Sequence, residues 1–361
     1  MKYITPQNQD AQRPAVHPSQ RQAHVTPVSS PLYVVTCITN PHRYYSRYRL
    51  YQAFEKQCED AGAILYTVEL ALRDRHFEVT QAANPRHLQF RSPSILWHKE
   101  NLLNVGISRL PEDWEYVAWI DADVLFSRPD WAVETIHQLQ MYKVVQMWSQ
   151  ATDLGPDFQP IATYSSLFAT YLKEQHLLKP LDRQRRDGAG QTGRGGNIFG
   201  DARSCYGSVV PTGKGLLHTG FAWAARRSAI ADLGGLGEIG ILGSGDRHMA
   251  YALLGEVARS LPAGLPKSYG EYWREWERRA ERYVNRNIGV VPGTVQHYWH
   301  GSKQHRRYRD RWQILIDNQY DHTKDLKRDP QGVLHLTERN WRLRDDLRGY
   351  FAQRNEDSVD L

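Results

Sequence analysis

The chain has 361 residues, of which 40% are hydrophobic and 24% charged, and its formal net charge is +6. This length fits one core domain with additions, the composition is typical of a globular protein, and the three cysteines lack the spacing of a disulfide framework or a zinc knuckle. No apolar run reaches the roughly 20 residues needed to cross a bilayer, and no signal-peptide core is present, so we expect a cytoplasmic protein without a membrane partner.

The first predicted elements form a strand, a helix and a second strand. Residues 1–30 are polar and rich in Gln and Pro, which predicts a disordered tail. The run 32–39 has the composition of a buried strand and ends at Asn40-Pro41. A helical pattern then continues to Gly62, and residues 63–70 predict the second strand.

The same alternation continues through the middle of the chain. Apolar residues at helical spacing occupy 95–107, the run 116–120 predicts a strand, and 143–148 predicts another strand after an intervening helix. Strands that alternate with helices indicate right-handed crossovers, and therefore an α/β fold with a mostly parallel twisted sheet flanked by helices. Ligands of such sheets bind beyond the carboxyl ends of the strands.

The second half of the chain has a less regular pattern. A Gly- and Arg-rich stretch at about 185–214 predicts a mobile loop, and ordered structure is predicted again from residue 216. We therefore expect one domain over 31–300, with halves at about 31–150 and 151–300. The basic C-terminal region, 301–361, is expected to close the site.

Two carboxylates stand at the end of a predicted strand. Asp121-Ala122-Asp123 directly follows the apolar run 116–120, and strand residues two apart face the same side of a sheet. Paired carboxylates at that position can hold Mn²⁺ or Mg²⁺, and such an ion neutralises charge on a diphosphate. A solvated strand end is the alternative interpretation of the same residues.

Two further motifs carry candidate chemical groups. His300-Gly301-Ser302-Lys303 follows a strand-like run at 288–299; its imidazole can bind the same ion, and its lysine can reach a phosphate. Asp246 lies in a Gly-rich turn that opens a predicted helix. Its carboxylate can cap that helix or act as a general base toward an acceptor hydroxyl, and one residue can do both.

These motifs together resemble a family of GT-A glycosyltransferases found in bacteria and phages, over roughly residues 32–336. The segments that carry the resemblance are Leu96-Trp97-His98-Lys99-Glu100, Trp119-Ile120-Asp121-Ala122-Asp123, His218-Thr219-Gly220-Phe221-Ala222-Trp223, Gly245-Asp246-Arg247-His248-Met249-Ala250, His297-Tyr298-Trp299-His300-Gly301, Tyr320-Asp321 and Asp325-Leu326. The resemblance implies a GT-A, Rossmann-like fold. It also implies sugar transfer from a nucleotide sugar, most simply a UDP-sugar, with Mn²⁺ or Mg²⁺ as cofactor.

The resemblance also assigns roles to individual residues. It implies that Asp121, Asp123 and His300 bind the metal, and that Asp246 is the base of an inverting reaction. The residues implied to bind the donor are Thr36, Thr39, Asn40, Glu69, Arg75, Lys99 and Lys303. Those implied to bind the acceptor are His218, Trp223, His248, Arg306 and Arg307.

The positive charge near the C-terminus bears on the acceptor. Arg306, Arg307 and neighbouring aromatic residues could follow a phosphate backbone and stack on bases. Our first prediction is therefore 5-hydroxymethylcytosine in phage DNA, in the infected host cytoplasm, with the base flipped or otherwise exposed. A cell-surface glycan or a protein is the alternative acceptor. A non-enzymatic nucleic-acid-binding protein and a nucleotidyltransferase are competing hypotheses. The early strand, however, lacks the Gly-rich phosphate loop that would favour the nucleotidyltransferase.

Overall fold

The computed structural model describes residues 30–173, 208–209, 216–308 and 310–360. The predicted tail lies outside the described residues except for residue 30. Most of the predicted loop at 185–214 and Arg309 lie outside them as well.

The strands and helices have the following bounds. The strands are β1 (Leu32–Thr39), β2 (Ile64–Leu72), β3 (His87–Ser92), β4 (Tyr116–Ile120), β5 (Val124–Phe126), β6 (Val144–Gln146), β7 (Gln150–Leu154), β8 (Pro160–Ser166), β9 (Ser208–Val209), β10 (Leu216–His218), β11 (Ala222–Arg226), β12 (Ile288–Val290), β13 (Thr294–His297), β14 (Leu326–Arg328) and β15 (Leu334–Leu336). The helices are α1 (Tyr45–Asp60), α2 (Lys99–Ile107), α3 (Trp131–Met141), α4 (Leu167–Lys173), α5 (Arg227–Leu233), α6 (Gly245–Leu253), α7 (Lys267–Arg279), α8 (Arg311–Asp317), α9 (His322–Asp325) and α10 (Trp341–Ala352).

The first sheet has seven strands in the order β12-β6-β11-β4-β1-β2-β3. Four neighbouring pairs are parallel, and β11 runs antiparallel between β4 and β6. This mostly parallel sheet confirms the predicted α/β class. The carboxyl ends of β1, β2 and β4 lie at one edge, so the residues after Ile120 face the place where ligands of such sheets bind.

A second sheet forms beside the carboxyl end of β4. Its order is β5-β13-β7-β8-β10-β9, and within it β13 and β7 are parallel. The register sets His297 opposite Asp153 on one side and opposite Val124 on the other. A histidine from late in the chain is thereby placed beside the residues that follow β4.

Side chains on the two faces of β1 belong to separate apolar clusters. Val35 packs with α2, α6 and α7, whereas Val34 packs with α1 and α3, and both are fully buried. Complete burial of a valine contributes about 1.5–3 kcal/mol, so the helices are held on both faces of the sheet. Among the described residues, no helix combines the length and apolar character that a bilayer crossing needs.

The predicted elements agree with the structure in the first half of the chain and diverge later. The strands at 32–39 and 116–120 have their predicted bounds, while β3 was not predicted because its sequence is polar. The run 288–299 is two strands in different sheets, since Pro292 and Gly293 interrupt it. Because β12 joins the first sheet and β5 the second, the two predicted halves interleave.

Candidate active site

A cavity opens beyond the carboxyl ends of β1 and β4, and it is partly open to solvent. The charged and imidazole side chains that line it are Arg47, Lys99, Glu100, Asp121, Asp123, Asp153, His218, Asp246, His297, His300, Lys303, Arg306, Arg311 and Arg354. So many ionisable groups on one lining indicate a site for a charged ligand.

Three side chains in this cavity form a cluster that could hold a metal ion. Ligand atoms of Asp123, His297 and His300 all lie within 4.8 Å of one another. His300 Nε2 lies 3.2 Å from Asp123 Oδ2 and 3.1 Å from His297 Nε2. The other oxygen, Asp123 Oδ1, is buried and has no hydrogen-bond partner within the described part of the chain. A buried oxygen without a partner beside two ring nitrogens is a set of donor atoms that a divalent transition-metal ion can use.

The electrostatics of the cluster also favour a positive charge at its centre. Burial lowers the pKa of His300 to about 4, so this ring is neutral and can act as a ligand. Burial opposes charge on His297 too, but Asp123 and Asp153 raise its pKa to about 9. Burial likewise opposes ionisation of Asp123, and His300 and His297 nevertheless lower its pKa.

Asp121 occupies a different position from the other predicted metal ligands. Its carboxylate forms an ion pair with Lys99, the first residue of α2. The i, i+2 alternation expected of a strand does not apply, because β4 ends at Ile120 and the next residues form a turn. Lys99 therefore lies in the predicted site, but its partner is a carboxylate of the protein.

A second layer of polar groups holds His297. Its Nδ1 lies 2.8 Å from Asp153 Oδ1, so its Nε2 is left to face the cluster. The other oxygen of Asp153 accepts from Lys303, which also donates to the Tyr164 hydroxyl. Lys303 thus lines the cavity as predicted for a donor-binding residue, but its ammonium is already engaged.

Two carboxylates from other elements also line the cavity. Asp246 lies in the first turn of α6 and is not its N-cap, which is Ser244, so the capping alternative is wrong. Its Oδ2 lies 3.5 Å from Thr219 Oγ1. A side chain at Gly220 would place its Cβ 2.7 Å from this oxygen, so only glycine permits the approach.

Glu100 is the second of these carboxylates. It packs against Gly245, and burial raises its pKa to about 8 despite the nearby Lys99. Asp246 and Glu100 therefore bring two carboxyl groups to the lining of the cavity, and the charge of Lys99 is close to both.

The two arginines predicted to bind the acceptor are separated by the fold. Arg306 is buried in the cavity wall and donates to the carbonyls of His300 and Gly301, while its Nε has no partner among the described residues. Arg307 is exposed and donates to Gln353, outside the cavity. Arg306 is thus beside the cluster rather than on an outer surface.

The predicted donor-binding residues at the ends of β1 and β2 lie in different places. Thr39 lines the main cavity, and Asn40, Glu69 and Arg75 line a smaller neighbouring cavity. Thr36 is buried and donates to the Ile120 carbonyl. Glu69 accepts from the backbone N–H groups of residues 78–80, so it holds that loop in place.

The residues of the remaining acceptor prediction lie mostly in the core. His218 lines the main cavity and stacks on Phe221 at 4.1 Å. Trp223 is buried against Trp119 and donates to the Thr219 carbonyl. His248 is fully buried and bonded to Ser260 and Tyr269, because position 248 is on the core face of α6. The structure therefore brings only His218 of these three into the cavity.

Several residues of the cavity were not predicted from the sequence. The spacing of His297 and His300, three residues apart, was a readable signal for a ligand pair. Asp153, Arg354 and Glu356 follow no recognisable motif, and only the tertiary structure places them near the cluster.

No protein-family model and no curated protein sequence matches this chain. Among solved structures, it is similar to a mutant Drosophila β1,4-galactosyltransferase 7 in complex with manganese, UDP-Gal and xylobiose, with 11% identity, 77% of this chain and 74% of that chain covered, and a TM-score of 0.33. The catalytic domain of the same enzyme with xylobiose gives 11% identity, 85% and 94% coverage and a TM-score of 0.32. S. aureus TarS gives 11% identity, 71% and 73% coverage and a TM-score of 0.28. Similarities of this size carry no information on substrates, which depend on the residues of the cavity.

Proposed function

We propose that the protein is a metal-dependent glycosyltransferase of the GT-A type, which transfers a sugar from a nucleotide sugar to an acceptor hydroxyl. The observation that carries this proposal is the shared cavity of Asp123, His297, His300 and Asp246 beyond the strand ends. It combines a cation-binding cluster with a candidate base, and a buried arginine stands beside them. A diphosphate leaving group and an acceptor hydroxyl require these groups.

The donor atoms of the cluster fit a transition-metal ion better than Mg²⁺. Mg²⁺ prefers oxygen ligands, whereas this cluster offers two imidazole nitrogens and one carboxylate, a set that suits Mn²⁺ among the ions of the prediction. When bound there, the ion would neutralise charge on the departing nucleotide diphosphate. Asp121 completes the acidic turn through its pair with Lys99, and its role as a direct ligand stays a prediction.

The chain's own residues suffice to bind and orient both substrates around that ion. The unpartnered Nε of Arg306 is a buried cationic donor and fits a phosphate oxygen. Lys303 adds a second positive charge at the same wall. The smaller cavity of Asn40, Glu69 and Arg75 adjoins the main cavity at the end of β1, where the nucleoside of a UDP-sugar would extend.

Asp246 is the proposed base of an inverting reaction. Its carboxylate takes the proton of the acceptor hydroxyl as that oxygen bonds to the anomeric carbon, and the bond to the nucleotide diphosphate breaks. Glu100, which keeps its proton to about pH 8, can donate a hydrogen bond to a substrate oxygen at the same wall. Asp246 lies at the start of α6, and the absence of a side chain at Gly220 leaves room for its carboxylate, which supports this role.

For the acceptor we propose 5-hydroxymethylcytosine in DNA. The net charge of +6 supports a polyanionic partner, as does the exposed Arg307. Arg306 no longer supports it, because a buried guanidinium in the cavity wall cannot follow a DNA backbone. A surface glycan or protein acceptor is the outcome that would replace DNA.

The test combines ligand binding with product detection. UDP-sugars with Mn²⁺ should raise the melting temperature of the full chain, because ligands that bind the folded state stabilise it. The protein is then incubated with a panel of nucleotide sugars and either hydroxymethylated DNA, unmodified DNA or saccharides, and the products are identified by mass. The Asp246→Asn variant is the matched control. Absence of any nucleotide-sugar binding would contradict the proposal, and transfer to saccharides alone would change the acceptor.

A further inference from the structure

A segment near the end of the chain packs directly behind the metal cluster. Residues 354–358, here called the C-terminal segment, run between the first turn of α1 and the loop that carries His300. Asp357 accepts from the backbone N–H groups of Tyr45 and Ser46, at 2.7 and 2.8 Å. Trp299 Nε1 donates to the Ser358 carbonyl at 2.6 Å. The last two residues of the segment are therefore held on two sides, by α1 and by the loop that carries His300.

The backbone at Gly301 permits this packing. Its φ is +87°, and a Cβ there would lie 2.6 Å from the Asn355 carbonyl oxygen and 2.7 Å from Glu356 Cα. A side chain at position 301 would therefore push the segment away from the loop that carries His300. This close approach brings the carboxylate of Glu356 near the imidazole of His300.

Glu356 is a fully buried carboxylate held by two arginines. Arg47 Nη2 donates to Oε1 at 2.7 Å and Arg47 Nε donates to Oε2, while Arg354 Nε donates to Oε1 at 2.6 Å. Arg47 also donates to the Thr39 carbonyl at the end of β1, and Arg354 lies over the Trp97 ring. The carboxylate is thus tied to the first sheet and cannot turn away without leaving both guanidinium groups unpaired.

Both histidines of the cluster have a buried carboxylate on the Nδ1 side, hydrogen-bonded to His297 but at longer range from His300. Each directs Nε2 to the shared point beside Asp123, and each directs Nδ1 to a buried carboxylate that cations hold in place. For His297 that carboxylate is Asp153, at 2.8 Å, and for His300 it is Glu356, at 4.0 Å. Carboxylates behind metal-binding histidines fix the ring orientation and favour the tautomer that leaves Nε2 free.

We propose that Glu356 is a positioning residue for the cation site, which holds the His300 ring so that Nε2 faces the ion. This inference rests on the proposed function, because it requires that the cluster bind a metal. It extends the site from the sheet ends to a segment outside every motif of the sequence. Glu356 acts through His300 and touches neither the ion nor a substrate.

The test measures metal affinity rather than turnover. Mn²⁺ is titrated into the full chain in the presence of UDP, and free Mn²⁺ is followed by electron paramagnetic resonance. Glu356→Gln removes the charge, and Glu356→Asp keeps the charge but shortens the side chain by one methylene group, which draws the carboxylate back from His300 and from the arginines. Both should weaken Mn²⁺ binding by ~10-fold or more, as expected when a carboxylate behind a histidine ligand is changed. Asp357→Asn, in the same segment but directed at α1, should bind Mn²⁺ like the wild type.

The outcomes separate this inference from the proposed function. If the wild type binds no Mn²⁺, the proposed metal site fails and the role of Glu356 fails with it. If the wild type binds Mn²⁺ and both Glu356 variants bind it equally well, only the positioning role is overturned. If both variants fail to fold while Asp357→Asn folds, Glu356 is a residue of fold stability and the inference is also overturned.

Discussion

The two walls of the cavity differ in how firmly their side chains are held. On the metal wall, His297 is fixed by Asp153, which is fixed in turn by Lys303, and Glu356 stands behind His300. Elsewhere on the lining, here called the Asp246 wall, Thr219 Oγ1 lies 3.5 Å from Asp246 Oδ2, and the charge of Lys99 is close to this carboxylate. Glu100 beside it packs against backbone.

This difference follows from what each wall would bind. A metal ion requires ligand atoms at fixed distances, so the groups behind them must be rigid before the ion arrives. An acceptor hydroxyl requires a carboxylate that is still able to take a hydrogen bond. A carboxylate already engaged by other protein groups is a weaker base. Under the proposed function, the metal wall would be a preformed receptor, and the Asp246 wall would leave its carboxylate to the substrate.

The largest effect is expected on the Asp246 wall. Asp246→Asn keeps the shape of the side chain but removes the basic oxygen, so turnover should fall by roughly 10²–10⁴-fold, the contribution of a general base. Binding of UDP-sugar and Mn²⁺, measured by calorimetry, should be retained. Normal turnover of this variant would move the base to another residue, with Glu100 as the next candidate.

Loss of a ligand on the metal wall should have the next largest effect. Asp123→Ala, His297→Ala or His300→Ala should each reduce turnover by ~10²-fold or more and weaken Mn²⁺ binding, since each removes one of three donor atoms. Circular dichroism should show a folded protein. Turnover that survives EDTA would exclude the metal role.

Asp121→Ala distinguishes between two roles of Asp121, direct metal ligand and partner of Lys99. If Asp121 binds the ion directly, as the sequence predicts, the variant should lose Mn²⁺ affinity as Asp123→Ala does. If Asp121 serves only to hold Lys99, Mn²⁺ affinity should be retained.

A smaller effect is expected for Lys303, which borders the metal wall. Lys303→Ala removes a cation near the proposed diphosphate, and a hydrogen bond to a charged group contributes about 1.5 kcal/mol. The KM for the UDP-sugar should therefore rise roughly tenfold. If Mn²⁺ affinity falls while the KM for the donor is unchanged, Lys303 acts only through Asp153.

The protonation of Glu100 should appear as a pH-dependent stability difference. The pKa of Glu100 is raised from 4.5 to about 8 in the folded protein, so its contribution to stability is full below pH 4.5 and is lost as the pH rises toward 8. Glu100→Gln has no such loss. The melting temperature of the variant minus that of the wild type should therefore increase between pH 5 and pH 8. A difference that is constant with pH would show an ordinary carboxylate.

The smallest effect is expected from Arg307, which lies on neither wall. Arg307→Ala should slightly weaken binding of hydroxymethylated DNA and reduce the slope of log affinity against log salt by about 0.9, the value for one phosphate contact. Donor hydrolysis without acceptor is the control and should not change. An unaltered slope would mean that Arg307 makes no phosphate contact and that the acceptor binds other residues.

The sequence predicted the parts of the site that depend on local pattern. The apolar run before Asp121 locates the strand end, and Gly-Asp at 245–246 locates the start of α6, since both signals lie within a few residues of the group they position. The cluster itself depends on strand register. His297 meets Asp153 because β13 pairs with β7, and no local pattern encodes which strands pair.

The incorrect predictions have the same cause, namely tertiary contacts that no local pattern encodes. His248 is part of a recognisable motif, but the side of α6 that it occupies depends on α7, which covers it with Tyr269 and Trp273. Arg306 and Arg307 are neighbours in sequence, but the side chain of Arg306 is buried in the cavity wall and that of Arg307 is exposed to solvent. Burial of a charged side chain was not predicted because arginine is seldom buried without a partner.

The C-terminal segment also has a consequence for folding. The Arg47–Glu356 ion pair joins residues 309 positions apart, and the two hydrogen bonds of Asp357 to α1 span similar separations. Contacts between such distant residues form slowly, because a long loop must close before they contribute any stability. The strands β1, β2 and β4 of the first sheet all lie within residues 32–120, so their pairing does not wait for these contacts. On refolding, secondary structure and tryptophan burial should therefore recover before Mn²⁺ binding does, and the delay between them would measure how late the metal wall is completed.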